Sequence, residues 1–542
     1  MQMRKENFLP HFDVVTFLVI LAGICLYGTW NLGQATHYGF GLVNDSAAYV
    51  GGASSLLEGR GFYRTAGGGE LKPIVHFAPL YSVLLAGAAA LGGPILNAAA
   101  GSGCLLYGAV IALAGLLTRY LTHSNWAGWL AAVFVAGSDI PLQVFAYVLS
   151  EPLALALLLL TGWAFGAYYL RRQKRWMLLA GVGLGLSYLT RYAAVSLLAA
   201  AALTILLVDW PHGAPSFRRK NIPLRELLLL GAGSLPLMIL WAVRNLLVSG
   251  TTNNRVLAWH PLAPQKMVET LKNLLTWLAP DAALRVFAPL GYLFSAVSVL
   301  VVPALLAGLA WQIIRSRRAP RQALETDPRR AIITLLAVFV PVYILFLFVS
   351  ISLFDASTPL DTRLLSPVTI AEIILTGWGL AWAWRRLAAG RPAVQAGILL
   401  LAAALAAGQI IDGRAAAAQM ARDGLGFANR YTLGSATFQM VRDLPGSLIV
   451  YSNRPTILFL LAGRNAYVTP TSVDSATGQA RPDYAASLAE MKQAVQSGRA
   501  VLVFYEPSGQ VSPEDQSDYQ TLTEGLKLAQ KTSDAEFYRA GP

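Results

Sequence analysis

Eleven apolar runs constrain this chain more than any other feature: 14–34, 97–118, 125–148, 153–170, 176–192, 193–208, 226–248, 288–314, 331–352, 367–384 and 393–411. A helix needs about 20 such residues to cross a bilayer. Only 13% of the 542 residues are charged, against 55% that are hydrophobic, roughly half the charged share of a soluble domain. The sequence therefore predicts a polytopic α-helical membrane protein of about 11 spans, with 176–192 and 193–208 joined by almost no loop. The run 79–91 is too short to cross and predicts a re-entrant or interfacial helix.

Charge placement orients the spans. If 79–91 does not cross, Arg4 and Lys5 and the basic stretches at 119–123, 171–175, 217–221, 315–330 and 384–391 all fall on one side. Cytoplasmic loops carry such an excess of Lys and Arg, which places the N-terminus inside and the C-terminus outside. The short polar start, with no credible cleavage site before the first apolar run, predicts a retained first span. Cys25 and Cys104 both sit in apolar runs and read as small core residues rather than a disulfide.

The outer side then holds the loop 35–96, the turn at 150–152, the loops 249–287 and 353–366, and everything after 412. The expected division is a membrane domain over 1–411 and an extracytoplasmic domain over 412–542. In the latter, "GSLIVYS", "NAYVT" and "RAVLVFYE" read as strands, and "RPTILFLLAG" and "PDYAASLAEMKQAVQSG" as helices ending on Gly463 and Gly498. Strand alternating with helix predicts a small α/β layer.

The chemistry gathers on that outer side. In "VNDSAAYVGGASSLLEGRGFY", Asp45, Tyr49 and Gly52 share one helical face and Val50, Ala53 and Leu57 another. This predicts a short amphipathic helix on the membrane surface, ended by Gly59 and Gly61. Asp45 stands at its start, either as a plain N-cap or as a working carboxylate. Glu151 lies at the lipid boundary in "SEPL". Lys72 and His76 lie just before the interfacial helix, and Tyr81 lies at its start. Arg191 with Tyr192, and Arg244 with Asn245, stand at outer span ends. Asp355, Asp361 and Arg363 lie in the loop 353–366. Charge near lipid costs a few kcal/mol per residue, so it usually has a partner or a task. A carboxylate can take the proton of an attacking hydroxyl, while cations and hydrogen-bond donors stabilise a departing phosphate. Asp139 and Glu372 read as structural partners of outward arginines.

In these residues the chain resembles the GT-C glycosyltransferase superfamily, in its protein O-mannosyltransferase and lipid A aminoarabinose transferase branch. The resemblance rests on Asp45 with Tyr49 and Gly59/Gly61 after the first span, "KPIVHFAPLY", the acid of "SEPL" and "DTRLLSP", over roughly 10–370. It implies transfer of one sugar, with inversion, from a polyprenyl-monophosphate donor to an acceptor on the outer face. Asp45 would be general base or acceptor-orienting group, with Glu151 as the second catalytic acid. Lys72, His76, Arg244 and Arg363 would meet the donor phosphate, and Tyr49, Tyr81, Arg191 and Tyr192 would bind substrate. Two departures stand out: the family's Asp-Glu pair is Asp45-Ser46, and its double proline is Ala78-Pro79.

The expected partners are the lipid-linked sugar donor, a lipid, glycan or protein acceptor, and membrane lipids, with no nucleic acid. The expected location is a bacterial inner membrane. No cofactor is implied by ligand spacing, although Asp45 and Glu151 could hold a divalent ion as more distant relatives do. Competing readings are a flippase of a lipid-linked glycan, which calls for inverted repeats or broken helices, an O-antigen polymerase or ligase, and an inactive scaffold for the outer domain.

Overall fold

The computed structural model describes residues 9–209, 223–276, 328–355, 358–474, 479–506 and 516–540. The apolar runs become helices α1 (Leu9–Ala35), α4 (Ile95–Thr122), α7 (Glu151–Arg171), α8 (Lys174–Thr190), α9 (Val195–Asp209), α10 (Leu224–Ser249), α12 (Arg329–Leu353), α13 (Ser366–Arg386) and α14 (Pro392–Asp423). Between them lie α2 (Asn44–Leu57), α3 (Leu80–Ala89), α5 (Asn125–Gly137), α6 (Asp139–Phe145) and α11 (Pro264–Thr276). The protein is thus a polytopic helical membrane protein. The expected span 288–314, the basic stretch 217–221 and most of 315–330 lie outside the described residues.

Three elements depart from the sequence reading. The run 125–148 is not one span. It breaks between α5 and α6 with a bend of 59°, at Ser138, whose backbone is extended (φ −73°, ψ 142°). Pro141 follows in the first turn of α6, where its missing N–H costs nothing, so the helix restarts there easily. A broken helix is also a feature of transporters. Among the described residues no second broken span pairs with it.

α2 does not lie free on the surface. Ser46, Ala48, Tyr49, Gly51, Gly52, Ala53 and Ser55 are all buried. Its small residues let neighbours close in on several sides: a Cβ on Gly52 would stand 2.6 Å from the Phe62 ring and 3.0 Å from Ser82 Oγ. Finally, α14 continues past the expected end at 411. Residues 411–423 include five Ala and two Arg, strong helix formers, and carry it unbroken to Asp423.

After α14 come a two-stranded hairpin, β3 (Gly424–Leu425) and β4 (Ala428–Asn429), and a five-stranded sheet. β5 (Ile449–Ser452) lies between β6 (Tyr467–Val468) and β7 (Ala500–Tyr505), parallel to both. β9 (Ala535–Arg539) runs antiparallel between β7 and β8 (Lys527–Lys531). β7 is buried along its whole length, as a central strand covered on both faces must be. Helices α15 (Ala436–Arg442), α16 (Pro455–Ala462) and α17 (Tyr484–Gln496) pack on it. Between α2 and α3, β1 (Tyr63–Thr65) and β2 (Leu71–Pro73) form a hairpin.

Candidate active site

Four segments converge on one charge cluster. Asp45 is in the first turn of α2, and Glu151 is the first residue of α7. Each carboxylate therefore sits at a helix N-terminus, where the dipole favours its charge. Arg191 is the single extended residue between α8 and the 3-10 turn Tyr192–Ala194 that leads into α9. Arg363 precedes α13 in a loop that Tyr343 of α12 pins by donating to the Leu364 carbonyl at 2.9 Å.

Arg363 bridges the two acids. Its Nη1 donates to Asp45 Oδ2 at 3.2 Å, and its Nε lies 3.4 Å from Glu151 Oε1. Arg191 Nη1 lies 2.6 Å from the same Glu151 oxygen. The contacts of Glu151 are charge pairings: its oxygens accept no well-aligned hydrogen bond among the described residues. Burial works against the charge on Arg363, but Glu151 and Asp45 outweigh it and raise its pKa.

The two acids differ in access. The Asp45 side chain is 32% exposed and that of Glu151 only 2%. Asp45 is also not the helix cap. Val43 holds that position, and its N–H donates to Ser46 Oγ at 3.0 Å, which in turn donates to the Val148 carbonyl at 2.9 Å. Ser46, standing where the resemblance implies a second acid, ties α2 to the segment leading into Glu151.

Tyr49 extends the cluster. Its hydroxyl shares a hydrogen bond of 2.8 Å with Ser150 Oγ, to which Arg191 also donates at 3.3 Å. Burial pushes the Tyr49 pKa well up, so the group stays a neutral phenol. Its ring is gripped edge-on by Phe77 and Tyr81, with centroids at 5.3 and 5.2 Å. Tyr81 is itself buried and packs edge-on against Tyr49.

Three of the expected residues stand elsewhere. Arg244 donates to the Phe62 and Ile74 carbonyls at 2.8 and 2.9 Å and stacks on Trp241 at 4.9 Å. Tyr192 donates to the Val75 carbonyl at 2.8 Å and accepts from Trp241 Nε1 at 2.9 Å. Both side chains are ties that fasten the segment between α2 and α3 to the span ends. Lys72 is exposed on β2, 3.9 Å from Glu70, with its ammonium 5.8 Å from the Tyr467 ring of the C-terminal domain.

His76 does belong to the cluster's surroundings. It is solvent-accessible and within electrostatic reach of Asp45, Asp355, Arg255 and Arg64. Desolvation first, and then Arg255, lower its pKa, with the acids opposing. Neither Arg255 nor Arg64 is engaged in an ion pair among the described residues. Sequence reasoning passed over both, since single arginines in polar loops carry no pattern. Asp361 caps the turn at Leu364, its Oδ1 accepting from the backbone N–H at 2.8 Å.

The whole chain superposes on solved membrane enzymes. It matches ArnT from Cupriavidus metallidurans bound to undecaprenyl phosphate with a TM-score of 0.54 at 13% identity, over 98% of this chain and 99% of that one. The apo state of the same protein matches at 0.55 and 14%, over 98% and 100%. The Archaeoglobus fulgidus oligosaccharyltransferase, tethered to an acceptor peptide containing the NVT sequon, matches at 0.50 and 12%, over 94% and 70%. The fold is therefore that of the GT-C glycosyltransferases. Within that class, residues 75–220 match the family model for dolichyl-phosphate-mannose-protein mannosyltransferase. The match takes in His76, Tyr81, Glu151, Arg191 and Tyr192. No curated protein matches the chain in sequence.

Proposed function

We propose that the protein is a membrane glycosyltransferase that moves a sugar from a polyprenyl-monophosphate donor to an acceptor hydroxyl or amine on the outer face of a bacterial inner membrane. The observation that carries this reading is the accessible Asp45 carboxylate, held by Arg363 against a buried Glu151–Arg191 pair. The GT-C fold and the undecaprenyl phosphate bound to the structurally similar ArnT support the donor class.

In this reading Asp45 accepts the proton of the acceptor as its oxygen or nitrogen attacks the anomeric carbon. The bond from that carbon to the phosphate oxygen breaks on the opposite side, so the configuration inverts. The bonding pair leaves with the polyprenyl phosphate, whose charge needs cations rather than a proton. Arg255 and Arg64, which act electrostatically on His76 and make no ion pair among the described residues, supply them. Arg363 fixes the Asp45 carboxylate. Glu151, too buried to reach a substrate, is a positioning residue that holds Arg363 and Arg191 in place.

The test is transfer of radiolabelled sugar from undecaprenyl-phosphate donors to a lipid and protein extract. Asp45→Asn keeps the side chain's size and removes the base. Its expected effect is a loss of about 100- to 10,000-fold in kcat with the fold retained. Equal labelling by wild type and Asp45→Asn would remove Asp45 from the chemistry.

A further inference from the structure

We propose that the start of the C-terminal domain is a working part of the active site, with Gly426 as a positioning residue. Three short segments, 41–42, 147–148 and 426–427, form a backbone clip that sets Asp45 against Glu151. The inference rests on the reading of Asp45 as the base.

The clip is built from main-chain bonds. The Gly41 N–H donates to the Ala146 carbonyl at 2.8 Å, and the Val148 N–H donates to the Gly41 carbonyl at 2.9 Å. The Phe427 N–H donates to the Leu42 carbonyl at 2.7 Å. Gly41 thus pairs in parallel with Tyr147, and Leu42 with Gly426. Asp45 follows the first segment by three residues and Glu151 follows the second by three. Neither acid is connected to the other by local chain, so the clip fixes their spacing together with the Ser46 bond to Val148.

Both glycines are required by space. A Cβ on Gly41 would stand 2.5 Å from the Tyr147 ring and 2.8 Å from Leu425 Cβ. Gly426 has φ +55°, and a Cβ there would collide with the Leu42 carbonyl oxygen. The domain grips α2 a second time through α16. Thr456 Oγ1 donates to Asn44 Oδ1 at 2.5 Å, one residue before Asp45, and the Phe459 ring stands 3.5 Å from where a Cβ of Gly51 would be. Leu42, Tyr49, Tyr81 and Ala428 share one apolar core. The domain and the acid-bearing helix are therefore packed as a single body.

The experiment compares full-length Gly426→Ala with Gly463→Ala. Gly463 has a similar left-handed φ of +66° but open space around its Cβ position, so its substitution imposes the backbone strain without the collision. A displacement of about 1 Å at a reacting group costs on the order of 100-fold. Gly426→Ala is expected to lower kcat by about that factor with donor KM unchanged. It should also speed amide hydrogen exchange at Val148 and Phe427, while Gly463→Ala changes neither. Wild-type kcat and exchange in Gly426→Ala overturn the proposal.

If Gly426→Ala does not fold, Thr456→Val carries the test. It should lower kcat and raise exchange across 44–57, with Thr456→Ser restoring both. Wild-type values of both in Thr456→Val overturn the proposal. If the wild type transfers no sugar, the glycosyltransferase reading fails by itself, and the exchange measurements still decide whether the clip holds α2.

Discussion

Two stretches of the segment between α1 and α4, both rich in polar side chains, have opposite fates. The segment around Asp45 is drawn inward and answered by residues from three other parts of the chain. On the hairpin of β1 and β2, Lys72 stays exposed, near Glu70 and the Tyr467 ring. What separates them is backbone neighbourhood rather than residue type. Asp45 follows a segment clipped on both sides, whereas β1 and β2 pair only with each other. A charge becomes part of a site when the main chain beside it is fixed by something distant.

This contrast can be broken experimentally, and the largest effect should fall on Asp45. Asp45→Asn, losing about 100- to 10,000-fold in kcat, ought to leave thermal stability nearly unchanged, because its side chain is one-third exposed. Glu151→Gln is the converse. It leaves the Arg191 charge without its buried partner, which costs about 3–5 kcal/mol. Thermal or denaturant unfolding in detergent should show that loss, and an unchanged midpoint would show that Glu151 does not hold the cluster.

Smaller effects sharpen the boundary of the site. Arg255→Gln should raise the donor KM by about tenfold, the scale of one lost charge-assisted hydrogen bond. Lys72→Ala should change KM and stability by almost nothing, as exposed ion pairs contribute about 0–1 kcal/mol. Equal KM shifts in the two variants would return Lys72 to the donor site.

The smallest effect concerns pH. The lowered pKa of His76 means that the folded state holds the neutral ring better than the unfolded chain does. Protonation on acidification therefore favours unfolding. Stability should be fully present above the unfolded value of 6.5 and decline as pH falls from there toward the folded value. His76→Gln should flatten that decline in a pH series of melting curves.

The sequence makes the membrane part legible because a helix must hide its backbone from lipid within its own span, and hydropathy records that directly. It also marks Asp45, Glu151, Arg191 and Arg363 as outer charges, since charge near lipid stands out. It cannot show the break at Ser138, because Gly, Ser and Pro cost little in an apolar run and the bend is settled by packing. Nor can it separate Arg244 and Tyr192, which tie down backbone carbonyls, from Arg255, which makes no ion pair among the described residues. All three residues sit in similar surroundings along the chain, and only the fold decides which groups meet. The clip is the least legible feature, because its three strands are two residues long and far apart in sequence.

The length of α14 links the lipid to the chemistry. At about 1.5 Å per residue, its 32 residues span about 48 Å, against a hydrocarbon core of about 30 Å. The helix is thus longer than the core it has to cross, and it ends at Asp423, three residues before Gly426. The last apolar helix of the bundle and the clip beside the two acids are therefore one continuous stretch of chain, 392–427.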